Sequence, residues 1–197
     1  MWEGLAARLE GQSVVLEPIS PEHENALYEA ARDMDWSWMF VDAGKSREAF
    51  ARYFEAALAT AAAGVEVPFV TLDAQTSEPV GSTRFLTLRP EHRGLEIGWT
   101  WLQRSRWQSG ANIEAKLLQL THAFETHRCM RVEFKTDAKN ERSRRAMEAL
   151  PAQFEGVFRK HMLVGDERDR LRDSAFYAIV DDDWPAVKAN LLRRLGR

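Results

Sequence analysis

Cysteine is almost missing from this chain: Cys129 is the single one in 197 residues. An internal disulfide and a Cys-x-x-Cys metal site are therefore excluded, and the five histidines form no compact ligand set with the acids. No excess of one charge exists either. Twenty-seven Lys and Arg stand against 30 Asp and Glu, for a net charge of −3. A dedicated nucleic-acid binder carries a basic surplus, so no DNA partner is expected. The one basic run, Glu141-Arg142-Ser143-Arg144-Arg145, is short. No window approaches the ~18 apolar residues of a membrane span. The start, Met1-Trp2-Glu3-Gly4, lacks the basic-then-apolar pattern of a secretory signal. No membrane partner is expected, and the cytoplasm is the expected compartment. Repeats, low-complexity stretches and linkers are absent; the 11 glycines and 7 prolines are scattered as punctuation. One domain over 1–197 is expected, with a core of about 9–181 and a terminal helix over 183–195.

What is present suffices for a core: 45% of residues are hydrophobic, and a chain of this length buries most of its surface without a staple. Ser13 to Glu17 is short and β-branched and reads as a strand stopped by Pro18. Ser20-Pro21 opens a helix to about Arg32. A loop from Met34 to Lys45 carries Trp36, Trp38, Met39 and Phe40, and Ser46 caps a second helix. Strands follow at Pro68–Leu72, Val80–Leu88 and Leu95–Leu102. Gly110–Glu125 is a helix with Ile113, Leu117, Leu120 and Phe124 in its stripe. Arg131–Lys135 is a strand, and Asn140 opens a fourth helix ending near Leu150-Pro151. Phe154–Leu163 and Ser174–Val180 form a hairpin across a charged loop around Gly165. Trp184, Val187, Leu191 and Leu195 share one side of the last helix. The mixed order predicts an α/β (α+β) fold, one seven-stranded sheet with helices on both faces.

The chemically informative stretch runs from Leu95 to Lys116. A strand ends, a polar loop turns, and a helix begins at small residues. A helix N-terminus offers unpaired N–H groups and a positive dipole end, and small residues there let an anion reach the backbone. Ser109-Gly110-Ala111 reads as a diphosphate cradle, or as an ordinary helix start with Ser109 as its cap.

Several segments in order carry a resemblance: Trp107-Gln108-Ser109-Gly110-Ala111-Asn112, then Glu114-Ala115-Lys116, His122-Ala123-Phe124-Glu125, Arg131 to Asp137, Asn140 to Ser143, and Glu155 to Arg159. From about Leu9 to Arg194 the chain resembles the GNAT superfamily of acyl-CoA-dependent N-acetyltransferases, and within it the ribosomal-protein N-terminal alanine acetyltransferases. The superfamily's phosphate signature is Arg/Gln-x-x-Gly-x-Gly/Ala. Trp107 and Asn112 replace its first and last residues, as they do in that branch. A further departure is Leu150-Pro151 where the family has Leu-Gly. Glycine there supports a left-handed helix end, which proline's ring opposes, so a different helix exit is expected.

The resemblance implies a largely antiparallel sheet and direct attack by an amine on acetyl-CoA in a ternary complex, without a metal. Glu96 is the implied base, directly or through water; the alternative is a structural ion pair with a neighbour such as Arg84. Ser143 is implied as acid or sulfur partner, since the family's tyrosine position holds Met147; the alternative is a cap pair with Asn140. Trp101 and Leu102 backbone groups and Asn140 would meet pantetheine, and Trp107, Gln108, Ser109, Gly110, Ala111 and Asn112 the diphosphate. Trp36, Trp38, Met39 and Phe40 would form the acceptor wall, or a plug under the first two helices. Arg142, Arg144 and Arg145 would meet the 3′-phosphate, or form a solvated face. His122 reads as packing and Cys129 as a buried thiol. An α-amine, with a pKa near 7.7–8.0 against about 10.4 for lysine, suits a modest base. The acceptor is expected to be a peptide or protein N-terminus or a small amine, and the protein a monomer or homodimer. A CoA-binding regulatory module without turnover, a non-CoA interaction domain, and transfer of another acyl group such as succinyl are the alternatives.

Overall fold

The computed structural model describes residues 2–197. Its strands are β1 (Leu9–Glu10), β2 (Val14–Pro18), β3 (Val67–Asp73), β4 (Pro79–Arg89), β5 (Gly94–Leu102), β6 (Arg131–Asp137), β7 (Gln153–Val164) and β8 (Arg170–Val180). They form one sheet in the order β1-β2-β3-β4-β5-β6-β8-β7. Neighbours run antiparallel except β5 and β6. The eighth strand beyond the expected seven is β1, whose two residues pair with Leu16 and Val15. Two residues are too few to show a period in sequence.

The helices are α1 (Glu24–Ala31), α2 (Arg47–Ala62), α3 (Ala111–Thr121), α4 (Glu141–Ala149) and α5 (Trp184–Arg194). They cover both faces. On one, α3 and α5 bury Leu16, Phe69, Phe85, Leu120, Tyr177 and Leu191. On the other, α1 and α2 bury Leu27, Phe50, Phe54, Val70 and Leu72. Every residue of β3 is buried, so Phe69 and Val70 point to opposite cores, and the strand reads as an unbroken apolar run. Ser46 caps α2 by accepting the Ala49 N–H at 3.1 Å. Ser20-Pro21 opens a short 3-10 turn (Pro21–His23) that feeds α1 at Glu24. The last helix begins at Trp184-Pro185, with Trp184 stacked on Phe124.

Two features of β5 position the site. It pairs with β6 over three residues only: Gly94 with Arg131, Leu95 with Val132, and Glu96 with Glu133. Beyond Glu96 the two strands part. On its other side, the register with β4 shifts between Arg84–Gly98 and Ser82–Trp101. Trp99 and Thr100 thus oppose Thr83 alone, and Trp99 takes a left-handed φ of 51°. A bulge of this kind bends a strand and raises its twist, which draws β5 away from β6.

Two expectations about the chain after α4 are corrected. The helix exit keeps a left-handed turn despite proline: Pro151 has φ 27°, and the Ala152 N–H reaches back to the Met147 carbonyl at 3.0 Å. That is the outer bond of a Schellman ending; the inner one needs an N–H that proline lacks. The charged loop is also shorter than expected. β8 begins at Arg170, not Ser174, because Leu171–Leu163 and Arg172–Met162 pairing extends the hairpin.

Candidate active site

Where β5 and β6 part, a cavity of about 650 Å³ opens. The start of α3, one face of α4 and the aromatic loop after α1 close it. Among the sequence-derived candidates, Glu96, Trp101, Leu102, Trp107, Gln108, Gly110, Asn112, Asn140, Ser143, Trp38, Met39 and Phe40 line it. Trp36, Ser109 and Ala111 do not.

Glu96 stands at the apex of the fork, 4% exposed. Burial pushes its carboxyl above the usual carboxylate range, while Lys135 and the Thr87 hydroxyl pull it back. Its Oε2 accepts from Lys135 Nζ at 3.3 Å and Thr87 Oγ1 at 3.2 Å. A Cβ at Gly98 would lie 3.3 Å from the Glu96 Oε1, so that glycine leaves room for the carboxyl on the cavity side of the strand. The expected alternative partner, Arg84, is elsewhere: it pairs with Glu66 at 2.8 Å and lies against Tyr53 and Trp99.

The helix start is built by glycine. Gly110 is the N-cap of α3 with φ 86°, a conformation that costs any residue with a Cβ. Ser109 folds back instead of facing the cavity. Its hydroxyl donates to the Arg106 carbonyl at 2.7 Å and accepts the Ala111 N–H at 3.3 Å. The first helical bond is from Glu114 N–H to the Gly110 carbonyl, which leaves the N–H groups of Asn112 and Ile113 without a helical acceptor. Ala111 is packed in the core. Trp107 donates its indole N–H to the Leu102 carbonyl at 2.9 Å, so that carbonyl is already engaged on one side. Arg142 lies over the exposed Trp107 ring at 4.1 Å. Of the three arginines of the basic run, only Arg142 faces the cavity. Arg144 bonds the Tyr177 hydroxyl and the Ala138 carbonyl, and Arg145 pairs with Glu141 in solvent.

Asn140 caps α4, its Oδ1 accepting the Ser143 N–H at 3.1 Å. The cap pair that sequence offered as an alternative thus exists, and it leaves the Asn140 amide NH₂ and the Ser143 hydroxyl on the cavity wall. Met147 lines the same wall. Trp101 is buried, donating its indole N–H to Tyr53 at 3.1 Å, so only its backbone can serve a ligand. Trp36 is a core plug: 6% exposed, donating to the Ala31 carbonyl and packed on Tyr53 and Trp101. The wall is Trp38, Met39 and Phe40, with Phe40 packed on Trp99 at 4.7 Å. The Gly165 N–H to Phe40 carbonyl bond and the Lys45–Asp166 ion pair tie this loop to the β7–β8 turn.

Five cations on the cavity wall were given no role by sequence reasoning: Arg106, which pairs with Asp73, Arg194, which donates to the Ala149 carbonyl, and Lys135, Lys116 and Arg172. Lys135 pairs with Glu96. Lys116 is buried on α3, with its Nζ bonded to Thr100 Oγ1, Gln119 Oε1 and Thr83 Oγ1, all neutral; burial lowers its pKa to about 7. Arg172 on β8 is 4% exposed and lines the cavity beside Phe40. Lys116 stood inside a quoted motif, and Arg172 inside a run read as loop. Outside the cavity, Cys129 is buried, and burial pushes its thiol up to about 11, which leaves it inert. His122 and His127 pair with each other at 3.0 Å. Among the described residues, no cluster of three His, Cys, Asp or Glu could hold a metal, and no helix is long and apolar enough to cross a membrane.

The family model for the acetyltransferase (GNAT) domain matches residues 13–153. A crystal structure described as an acetyltransferase is 37% identical over 99% of this chain and 96% of its own, with a TM-score of 0.87. A GCN5-related N-acetyltransferase from Brucella melitensis is 26% identical, covering 95% of this chain and 85% of its own, with a TM-score of 0.85. Mycobacterium smegmatis RimJ, in complex with CoA-disulfide, shares the fold at 22% identity, covering 93% of this chain and 90% of its own, with a TM-score of 0.72. No curated protein matches the sequence.

Proposed function

Since the chain belongs to the GNAT acetyltransferase family, we propose that this acetyltransferase moves the acetyl group of acetyl-CoA onto a primary amine held in the fork beyond Glu96. The acceptor is a peptide or protein N-terminus or a small amine. The observation that carries this reading is the buried Glu96 carboxyl at the apex of a cavity whose far side is a helix N-terminus.

The cavity fits the co-substrate's chemistry. The N-cap of α3 presents free N–H groups to an anion, Gly110 keeps the approach open, and Arg142 adds a cation at the mouth. The Asn140 amide and the unpaired edge of β5 offer donors and acceptors to an extended chain of amides. Acetyl-CoA supplies an activated thioester. The protein's residues supply proton management. Glu96 takes a proton from the acceptor's ammonium, directly or through water. Burial raises its pKa, which strengthens the carboxylate as a base. The N–C bond forms and the C–S bond breaks, and the nitrogen's second proton passes through the Ser143 hydroxyl, or a water beside it, to the leaving sulfur. Backbone N–H groups of the bulged part of β5 are suited to hold the oxygen that gains charge. An α-amine is favoured because a usable fraction is neutral at pH 7.

Calorimetric titration of acetyl-CoA into the parent and into Gly110→Glu tests the cofactor half. Binding in the parent and its loss in the variant is expected; no binding in the parent sinks the transferase reading. Glu96→Gln tests the chemistry. Turnover should fall by roughly 10²–10⁴ with acetyl-CoA binding kept. In the parent, kcat/KM should rise with pH as the acceptor's ammonium loses its proton. Binding without turnover for any amine would favour the regulatory module, for which Met147 at the acid position is the motive.

A further inference from the structure

We propose that Arg172 is the receptor for a carboxylate carried by the amine acceptor, so that the preferred acceptors are amines bearing an acidic group close to the nitrogen. This rests on the transferase reading and narrows its substrate class.

Arg172 is 96% buried, since 4% is exposed, and it lines the cavity from β8, across from β5. Its Nε donates to Ser174 Oγ at 3.2 Å, and its guanidinium lies 4.6 Å from the centre of the Phe40 ring. Among the described residues it makes no ion pair, although acids lie near. Asp137 is taken by Arg170 at 3.3 Å and by the Lys139 N–H at 2.9 Å. Glu96 is taken by Lys135 and Thr87. Asp173 accepts the Lys160 N–H, and Asp35 the Ser37 N–H and hydroxyl. The neighbouring His161 is held toward its neutral form by burial and by Lys135 and Arg172.

The charge balance points one way. Glu96 pairs with Lys135, Asp137 pairs with Arg170, Asp35 and Asp173 turn to neutral donors, and Arg172 stands without an ion pair in a nearly dry wall. An unpaired buried charge is costly, and a ring face offsets a small part of that cost. A carboxylate offsets it well, because a guanidinium presents paired N–H donors that match two carboxylate oxygens. With Nε committed to Ser174, the Nη groups remain for the ligand. The guanidinium lies against Phe40, on the part of the cavity where an acceptor would rest, and β8 stands with β6 across the fork from β5.

The test compares matched acceptors that differ in one charge: α-amino acids against their amides, and short peptides with Asp against Asn at the second position. Free thiol release from acetyl-CoA gives kcat and KM. The parent should favour the acid by about ten-fold or more in kcat/KM, mostly through KM. Arg172→Gln should bring that ratio to within about two-fold of unity, and Arg172→Lys to an intermediate value. The amino-acid and peptide arms tell which source of carboxylate is used. An acid-to-amide ratio near one in the parent, or one that survives Arg172→Gln, overturns the proposal. So does a loss confined to succinyl-CoA relative to acetyl-CoA, which would assign Arg172 to the acyl group. A second readout needs no turnover: tryptophan fluorescence on titration of N-acetyl amino acids against their amides, with and without CoA. An intact acid preference without acetyl-CoA binding sinks the transferase reading alone. Acetyl-CoA binding without the preference sinks this one alone. Thermal melts of Arg172→Lys guard against simple misfolding.

Discussion

A buried lysine with only neutral partners is a pH-sensitive element whatever the chain does. Lys116 titrates near 7 in the fold and near 10.5 when exposed. Between those values the unfolded chain binds a proton that the folded one does not, so stability rises with pH across that window. Below about 7 both states are protonated and the full desolvation cost stands. Lys116→Met should therefore remove one proton's worth of slope from denaturation free energies measured between pH 7 and 10. An unaltered slope would mean that Lys116 is charged in the fold. Glu96 has the opposite sign. Its raised pKa means that stability is lost as pH rises through and above the ordinary 4.5. Glu96→Gln, an isostere of the protonated acid, should then melt no lower than the parent at pH 8 while losing turnover. A clearly lower melting point would assign Glu96 to holding Lys135 and the sheet. Neither residue's environment was readable from its neighbours in sequence. Glu96 stood out by its place in an apolar strand, but Lys116 looked like one charge in a helix.

At the scale of the element, the quoted Glu114-Ala115-Lys116 motif acquires a structural reason. The Glu114 carboxylate on α3 accepts the N–H groups of Gln12 and Val14 at 3.0 Å each, and the N–H and hydroxyl of Ser13. Arg197 completes the set. Burial acts to raise its pKa, but these donors outweigh it and hold the acid at about 2. The stability it gives is present above 4.5 and lost as pH falls toward 2. Glu114→Gln should cost about 3 kcal/mol at pH 7, read as a drop in urea midpoint, with much less cost at pH 3. The exit of α4 offers the reverse. Pro151 sits at φ 27°, far from the ring's preference near −65°. Pro151→Gly should relieve ~1–3 kcal/mol of strain and restore the inner Schellman bond. It gives back ~0.4–1 kcal/mol to the freer unfolded chain. A net gain of about 1 kcal/mol in denaturation is expected; a loss would mean that the proline's rigidity outweighs its strain.

On the scale of the whole molecule, the site is a gap between two halves of one sheet. β1 to β5 form one side and β6 to β8 the other, joined by three residue pairs of parallel ladder. A ligand that spans the gap should stabilise both halves together. Acetyl-CoA at a hundred times its Kd adds about 2.7 kcal/mol, which for a chain of this size is roughly 5–11 °C in Tm. Differential scanning fluorimetry checks it, and a shift in one of two separable transitions would show that the ligand touches one half only.

Seven of the eight strands, the five helices and their order are legible in the sequence, because burial period, caps and turn residues are local properties. Strand alternation, the Ser46 cap and the Gly110 start all act within a few residues. The helix stripe of Leu117 and Leu120 is equally local. The resemblance carried by the motifs placed Glu96, Asn140 and Ser143 together before their geometry was known. Which side chains face the gap follows from packing between distant segments. Trp36 and Trp38 are two residues apart in the same aromatic loop, yet one plugs the core and the other lines the cavity. Arg172 looked like one of several charges in a loop, and pairing with β7 carried it into a strand and buried it. Partner choice is likewise a matter of distance in space: Glu96 pairs with Lys135, 39 positions away, because β5 and β6 share a short ladder. Burial and charge pairing are set by what the rest of the chain brings alongside a residue, and no local pattern encodes that.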